Sequence, residues 1–345
     1  MPLTVGVERW RLAQPFKIAR GVKTEAVTLT VRISERGADG AIRVGQGEAT
    51  PYPHFGEDPE SCADAVSALR GWIDAPSAGA PAERRARLQA TLSPGAARNA
   101  VDCALWDLEA KLTGQPAPTL AGLTAPGAED PVETAYTVSL DRPERMADAA
   151  RAARTAGRGA LLKLKLGAGG PADEIARINA VRAAVPKARL ILDANEGWDL
   201  ETLQAVDGPA AAAGALFIEQ PLPAADDAAL AGLALATPLC ADESCHGPDD
   251  LDRVAERYGV VNLKLDKTGG FTAAIALREA ALARGLGLMV GCMVSTSLAV
   301  APAYWLCAGA VAVDLDGPLL LERDREPGLV YTGATMAPPE PALWG

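Results

Sequence analysis

Histidine is nearly absent from this 345-residue chain: only His54 and His246 occur, too few for a histidine-rich metal site. Cysteine is modest in number and lacks metal-site spacing. Cys62, Cys103, Cys240, Cys245, Cys292 and Cys307 form no CxxC pair and sit mostly in apolar segments, so buried thiols are expected rather than a disulfide framework or a zinc site. Basic clusters are missing too. Lys and Arg total 33 against 44 acids, for a net charge of -11, which argues against nucleic acid as a partner. No apolar run reaches the ~18 residues of a membrane span. The opening MPLTVGVERWRLAQPFKIAR has neither the unbroken apolar stretch nor the small-residue cleavage site of a secretory signal, so a cytoplasmic protein without a membrane partner is expected. GxSxG, HExxH and GxxxxGKS/T do not occur, and the lone GAGG at 167–170 is too weak to claim a phosphate site.

What is present is a chain that is 49% hydrophobic, enough for one large core or two moderate ones. Residues 1–125 read as α+β. Alternation in AVTLTVRIS predicts a strand, and AARNAVDCALWDLEAKLTG predicts an amphipathic helix ending at Gly114 before Pro116. Beyond residue 130, short β-rich runs alternate with alanine-rich helical stretches. The runs close near Ser139, Lys165, Asp193, Glu219, Asp242, Lys264, Gly291 and Asp314, with 22 to 28 residues between successive ends. Eight βα units of that period predict a parallel (β/α)8-type barrel, whose strand C-termini form the active face. A doubly wound sheet would more often show fewer strands and a glycine-rich nucleotide turn.

Most of those strand ends carry an ionisable residue. Asp193, Glu219 and Asp242 close strands three, four and five, which puts three carboxylates side by side. An all-oxygen set of this kind suits a hard cation, Mg²⁺ above all; the alternative for any single acid taken alone is a helix N-cap or a surface loop charge. Lys165 closes strand two and Lys264 strand six, four strands apart in the ring, so they are expected to face each other across the mouth. A substrate carboxylate on the metal would offer its α-carbon to both: one lysine removes the α-proton, the metal stabilises the enediolate, and the other returns a proton to the opposite face. An ammonium of ordinary pKa ~10.4 is a poor base at neutral pH. Lys163, at i and i+2 with Lys165 on one strand face, supplies a positive neighbour that favours the base form. Lys267 competes with Lys264 for the second role, but Asn262 and Lys264 share a strand face whereas Lys267 reads as loop. Asp314 and Asp316 in VDLDGP also share a face; they either hold a cationic group of the substrate or cap a turn before Gly317 and Pro318.

Together, KLK (163–165), DAN (193–195), EQP (219–221), ADES (241–244) and NLKLDKTGG (262–270) resemble the enolase superfamily in its muconate-lactonizing-enzyme-like branch. GCM (291–293) followed by DLDGP (314–318) looks like the dipeptide epimerases within it, and FKIARG and GEATPYPHFGE extend the resemblance over nearly the whole chain. The resemblance implies a modified (β/α)7β barrel at 126–324 under an α+β capping domain at 1–125, with residues 325–345 returning to the cap. It further implies Mg²⁺ on Asp193, Glu219 and Asp242, with Lys165 and Lys264 as the acid/base pair. Asp314 and Asp316 would bind a dipeptide's α-ammonium, and Arg20 would meet a glutamate side-chain carboxylate.

The expected activity is therefore Mg²⁺-dependent epimerisation of L-Ala-D/L-Glu-type dipeptides at the C-terminal residue's α-carbon, with homo-oligomerisation left open. The rivals are an N-acylamino acid racemase, o-succinylbenzoate synthase or cycloisomerase of the same superfamily, a Schiff-base aldolase using one buried lysine, and a barrel that only binds. The first group acts on substrates without a free α-ammonium, which Asp314 and Asp316 argue against.

Overall fold

Leu29, Val31 and Ile33 alternate with polar neighbours at the period of a strand and are at most 1% exposed, and Thr28 and Thr30 on the other face are buried too. They lie in the middle strand, Gly21–Arg36, of a three-stranded antiparallel sheet flanked by Thr4–Ile18 and Ile42–Ala49. The computed structural model describes residues 3–75, 79–123 and 131–345. Against the sheet packs the helix Ala96–Thr113, ended by Gly114 in the left-handed conformation (φ 69°). A Cβ at Gly45 would overlap the Ala104 carbonyl oxygen and one at Gly47 the Ala100 carbonyl oxygen, so GQG in the third strand is what lets the helix approach this closely. This helix is not amphipathic as its sequence suggests. One face (Ala100, Val101, Ala104, Leu105, Leu108) joins the sheet's core and another (Cys103, Trp106, Ala110) joins the core of the second half of the chain.

That second half is an eight-stranded parallel sheet: Tyr136–Val138, Leu161–Lys165, Arg189–Asp193, Ala215–Glu219, Leu239–Ala241, Val260–Leu263, Gly287–Gly291 and Ala312–Asp314, each paired with its neighbours in chain order. The Ala135 N–H donates to the Val313 carbonyl at 2.8 Å, bringing the first strand's start against the eighth and closing the barrel. Helices Pro143–Thr155, Pro171–Ala184, Leu200–Ala212, Leu251–Ala255, Phe271–Ala283 and Ser297–Tyr304 cover the outside. The fourth crossover holds only a 3-10 turn, Asp227–Leu230, and a second such turn, Gly317–Leu320, follows the eighth strand. The architecture is thus a (β/α)7β-type barrel with one helix reduced, beside a separate α+β sheet unit.

From Leu321 onward the chain touches both parts of the molecule: Tyr331–Thr332 and Thr335–Met336 form a hairpin that pairs with Val132–Glu133 beside the barrel, while other residues contact the N-terminal unit. Leu321 bridges Leu12, Arg325 pairs with Glu8 and Glu48, and the Trp344 indole donates to the Cys103 carbonyl at 3.0 Å. The expected boundary between residues 125 and 126 lies outside the described residues. All six cysteines are free, and among the described residues no helix is long and apolar enough to cross a membrane.

Candidate active site

The barrel interior is built in layers that follow strand parity. Its floor is Ala135, Leu161, Ile191, Phe217, Cys240, Val260, Met289 and Ala312, one from each strand and none more than 7% exposed. Two residues further along, on the same face, stand Thr137, Lys163, Asp193, Glu219, Asp242, Asn262, Gly291 and Asp314. Two further again come Lys165, Lys264 and Asp316. The intervening leucines and valines, such as Leu162, Leu164, Val261 and Leu263, point outward into the helix-facing core. This parity is why LLKLKL buries two lysines: its leucines face the helices and its lysines the axis.

Lys163 is 1% exposed and lies at the centre of the polar layer. Its Nζ donates to Asp314 Oδ2 at 2.8 Å and sits 2.8 Å from Glu219 Oε2 and 3.1 Å from Asp193 Oδ2. Burial works to strip its proton, but Asp314, Glu219 and Asp193 outweigh that and hold it well above the usual lysine range. Lys163 is therefore a fixed cation joining carboxylates of three strands. It stands beside Lys165 as expected, with its own charge enclosed by those acids.

Lys165 Nζ donates to Asp193 Oδ2 at 2.5 Å, and Lys264 Nζ to Asp242 Oδ2 at 2.6 Å. Burial opposes ionisation of Asp193, but Lys165 and Lys163 overcome it and bring the carboxyl down to about 2. Asp242 is held well below the carboxylate range, against burial, by Lys264, Lys267 and Lys163. Glu219 goes the other way. Burial and the adjacent Asp193 charge raise it to about 7 despite Lys163. Burial and Asp314 likewise raise Asp316 to about 7, while its Oδ2 accepts from the Thr137 N–H at 2.6 Å.

Lys163, Lys165, Asp242, Lys264, Asp314 and Asp316 all line one cavity closed from above by the N-terminal unit, and Arg20 lines it from that side. Asp193 and Glu219 lie directly beneath, tied to it through Lys163. Lys267 does not face the cavity: it donates to the Asp242 and Asn262 carbonyls at 2.5 and 2.8 Å and braces that corner from behind.

Several residues with no role assigned from sequence also shape the site. Asn262 donates to Glu219 Oε1 at 2.7 Å, and a Cβ at Gly291 would come within 2.6 Å of Asn262 Oδ1, so that glycine makes room for it. Gln220 gathers the end of strand five: Oε1 accepts from Asp242 N and Ser244 N, and Nε2 donates to Ser244 Oγ and Tyr258 OH. Asn195 (φ 45°), two residues after Asp193, and Gln220 (φ 36°), directly after Glu219, each turn into the left-handed region, strain that marks a functional rim. The signal for Asn262 was its shared parity with Lys264; Gln220 carried none beyond its place after Glu219.

Asp193, Glu219 and Asp242 form an oxygen-only donor set, at most 2% exposed, of the kind a hard divalent cation takes. Glu219, crowded by Asp193, and the buried Asp314 Oδ1 and Asn195 Oδ1, which lack hydrogen-bond partners, indicate polar capacity that the protein alone leaves unmet. The lysines hold these acids turned toward themselves, and among the described residues no three acidic, histidine or cysteine groups converge on one point. The residues fit such a cation in chemical kind, and Asp193, Glu219 and Asp242 would be the ones to hold it.

Residues 2–122 match the model of the mandelate racemase / muconate lactonizing enzyme N-terminal domain, residues 145–339 match the enolase C-terminal domain-like model, and the chain belongs to the enolase superfamily. It is 44% identical over 325 residues to the L-Ala-D/L-Glu epimerase of Escherichia coli (strain K12), covering 94% of this chain and 96% of that one. It is also 44% identical over 255 residues to an N-acetyl-D-glutamate racemase of Pseudoalteromonas, covering 74% and 78%. Among solved structures, an enolase family member from Agrobacterium tumefaciens with homology to dipeptide epimerases, bound to sodium and L-Ala-L-Glu, superposes with a TM-score of 0.89 at 44% identity over 99% of both chains. A dipeptide epimerase from Cytophaga hutchinsonii, complexed with Mg and D-Ala-L-Val, has a TM-score of 0.88 at 28% identity over 99% and 94%.

Proposed function

We propose that the protein is a Mg²⁺-dependent dipeptide epimerase acting on L-Ala-D/L-Glu-type substrates, inverting the α-carbon of the C-terminal residue. The observation that carries this reading is the pair Lys165 and Lys264, on strands two and six of one closed ring, each bonded to a carboxylate and each facing the same cavity. Two proton carriers on different sides of one substrate pocket suit removal from one face of a carbon and return to the other. Asp193, Glu219 and Asp242 would hold the Mg²⁺, which supplies positive charge to a substrate carboxylate and so acidifies the adjacent C–H. Lys163 keeps those acids assembled. Asp314 and Asp316 face the cavity with a free buried oxygen, Asp314 Oδ1, and would receive the dipeptide's α-ammonium. Residues 1–125 would act as the lid and specificity surface, 126–324 as the catalytic barrel, with the whole working in the cytoplasm.

The test is incubation with L-Ala-L-Glu in D₂O. Deuterium is expected at the glutamate α-carbon together with appearance of the D-epimer; no exchange with any dipeptide sinks the proposal.

A second reading, racemisation of an N-acylated amino acid, draws on the Pseudoalteromonas relative. Both substrates carry an amide on the glutamate nitrogen, but the acetyl group has no ammonium where the dipeptide's N-terminal residue has one, so this reading leaves Asp314 and Asp316 without a cation. N-acetylglutamate assayed beside L-Ala-L-Glu separates the two.

A further inference from the structure

Asp193, Glu219 and Asp242 each keep their two carboxylate oxygens in different company. One oxygen of each meets a lysine that lines the cavity: Asp193 Oδ2 accepts from Lys165 Nζ at 2.5 Å, Glu219 Oε2 is 2.8 Å from Lys163 Nζ, and Asp242 Oδ2 accepts from Lys264 Nζ at 2.6 Å. The other oxygen is held by the surrounding fold. Asp193 Oδ1 accepts from the Asn195 N–H at 2.9 Å, and Glu219 Oε1 from Asn262 Nδ2 at 2.7 Å. Asp242 Oδ1 lies 2.8 Å from Lys267 Nζ, an ion pair rather than an aligned hydrogen bond.

The groups that hold these second oxygens are themselves fixed. Asn262 is fully buried, and Lys267 is 2% exposed. The Lys267 ammonium also donates to the Asp242 and Asn262 carbonyls, which end strands five and six just past their last ladder pair, Ala241 with Val261. It therefore extends the join between the two strands, and leaving Asp242 would cost it two backbone bonds. Neither Asn262 nor Lys267 lines the cavity. A cation arriving there competes with cavity lysines for one oxygen of each acid, while the second stays bound on the side away from it.

We propose that Lys267 and Asn262 set the metal selectivity of the site: by occupying Asp242 Oδ1 and Glu219 Oε1 they leave each of these acids a single oxygen for the cation, which favours Mg²⁺ over Ca²⁺. This rests on the assignment of Asp193, Glu219 and Asp242 as the cation's ligands. Mg²⁺ takes a compact octahedral shell at about 2.1 Å and keeps several waters, so single-oxygen donors suit it. Ca²⁺ takes roughly six to eight oxygens at about 2.3–2.6 Å and readily draws on both oxygens of a carboxylate. Both ions carry the same charge, so the neighbouring ammonium groups oppose them nearly alike. The number of free oxygens is what separates them. Lys267 and Asn262 are positioning residues that act through Asp242 and Glu219; on Asp193 a backbone N–H does the same work.

The experiment titrates EDTA-treated, dialysed protein with Mg²⁺ and with Ca²⁺ in a calorimeter, without substrate, for the wild type, Lys267→Met, Asn262→Leu and Asp242→Asn, with thermal unfolding of each. The ratio of the two dissociation constants is expected to move toward Ca²⁺ by about 10-fold or more in Lys267→Met and in Asn262→Leu, the scale on which groups behind metal ligands act. A merely structural loss lowers the unfolding temperature and weakens both metals alike, leaving the ratio where it was. Asn262→Leu works through a different acid, so the inference stays testable if Lys267→Met does not fold. An unmoved ratio in either variant that folds, or a wild type that binds Ca²⁺ as tightly as Mg²⁺, overturns it. A wild type that binds neither ion, or an Asp242→Asn variant that binds Mg²⁺ as tightly as the wild type, removes the ligand assignment itself, and this inference with it.

Discussion

Lys163 and Asp314 meet at 2.8 Å inside the barrel, joining the second strand to the eighth across 151 residues of sequence. The same ammonium is 2.8 Å from Glu219 on the fourth strand, so one side chain links three elements of the ring.

Replacing Lys163 by Met keeps its length and removes its charge. Asp193 keeps Lys165, but Glu219 and Asp314 would lose the cation between them, and a loss of about 3 to 5 kcal/mol is expected, as for other buried pairs broken from one side. Urea unfolding in EDTA measures it. A loss below about 1 kcal/mol, the size of a surface pair, would show that the carboxylates do not depend on this lysine.

Lys165→Ala and Lys264→Ala are each expected to lower epimerisation by about 10³-fold or more, the upper part of the range for a positioned acid or base. Each variant should retain α-proton exchange from only one stereoisomer, and the two should retain opposite ones. Proton NMR in D₂O with L-Ala-L-Glu and L-Ala-D-Glu reads both. Retention of the same isomer by both variants contradicts a two-sided site.

Addition of Mg²⁺ to EDTA-treated protein should raise the unfolding temperature by a few degrees at concentrations well above the dissociation constant. Asp242→Asn should respond much less. An equal response in both would place the cation elsewhere.

Asp266 joins barrel to cap, accepting from Thr50 N at 2.9 Å and Asn99 Nδ2 at 3.0 Å, and burial raises its carboxyl to about 7. The unfolded chain's carboxyl titrates near ~3.9. Between these values the folded state holds the extra proton, so this group's contribution is full at low pH and declines as pH rises through about 7. Asp266→Asn keeps the accepting oxygen and removes the ionisation. Urea midpoints at pH 5 and 8 should diverge less in the variant than in the wild type; an equal difference in both discounts Asp266 as the titrating group.

Gly45→Ala places a methyl group into the backbone of the helix Ala96–Thr113 at Ala104. With no flexible side chain to yield, a loss of about 3 kcal/mol is expected, the upper end of overpacking costs. Thermal unfolding checks it.

The barrel was legible because its parity is strict. Runs such as LLKLKL and LILDAN carry their polar residues at the interior positions, so counting run ends found all eight strands, with ends within one residue of those observed. The fourth crossover's missing helix follows from PLPAADD, where two prolines and two aspartates precede a short alanine stretch. The helix 96–113 misled in one respect: an amphipathic pattern cannot reveal that both faces are covered, since that depends on a second surface contributed by a distant part of the chain. Arg20 was found by motif, but its two acidic partners, Glu196 and Glu243, come from different barrel loops and share no sequence pattern with it.

The apolar floor decides how the polar layer exchanges with its surroundings. Eight side chains from Ala135 round to Ala312 seal the barrel axis below Lys163. Every ion, water and substrate that reaches the carboxylates must therefore pass the side on which Arg20 is fastened. Entry of the cation, arrival of the substrate and escape of the product share one face of the barrel, the face that the N-terminal unit covers.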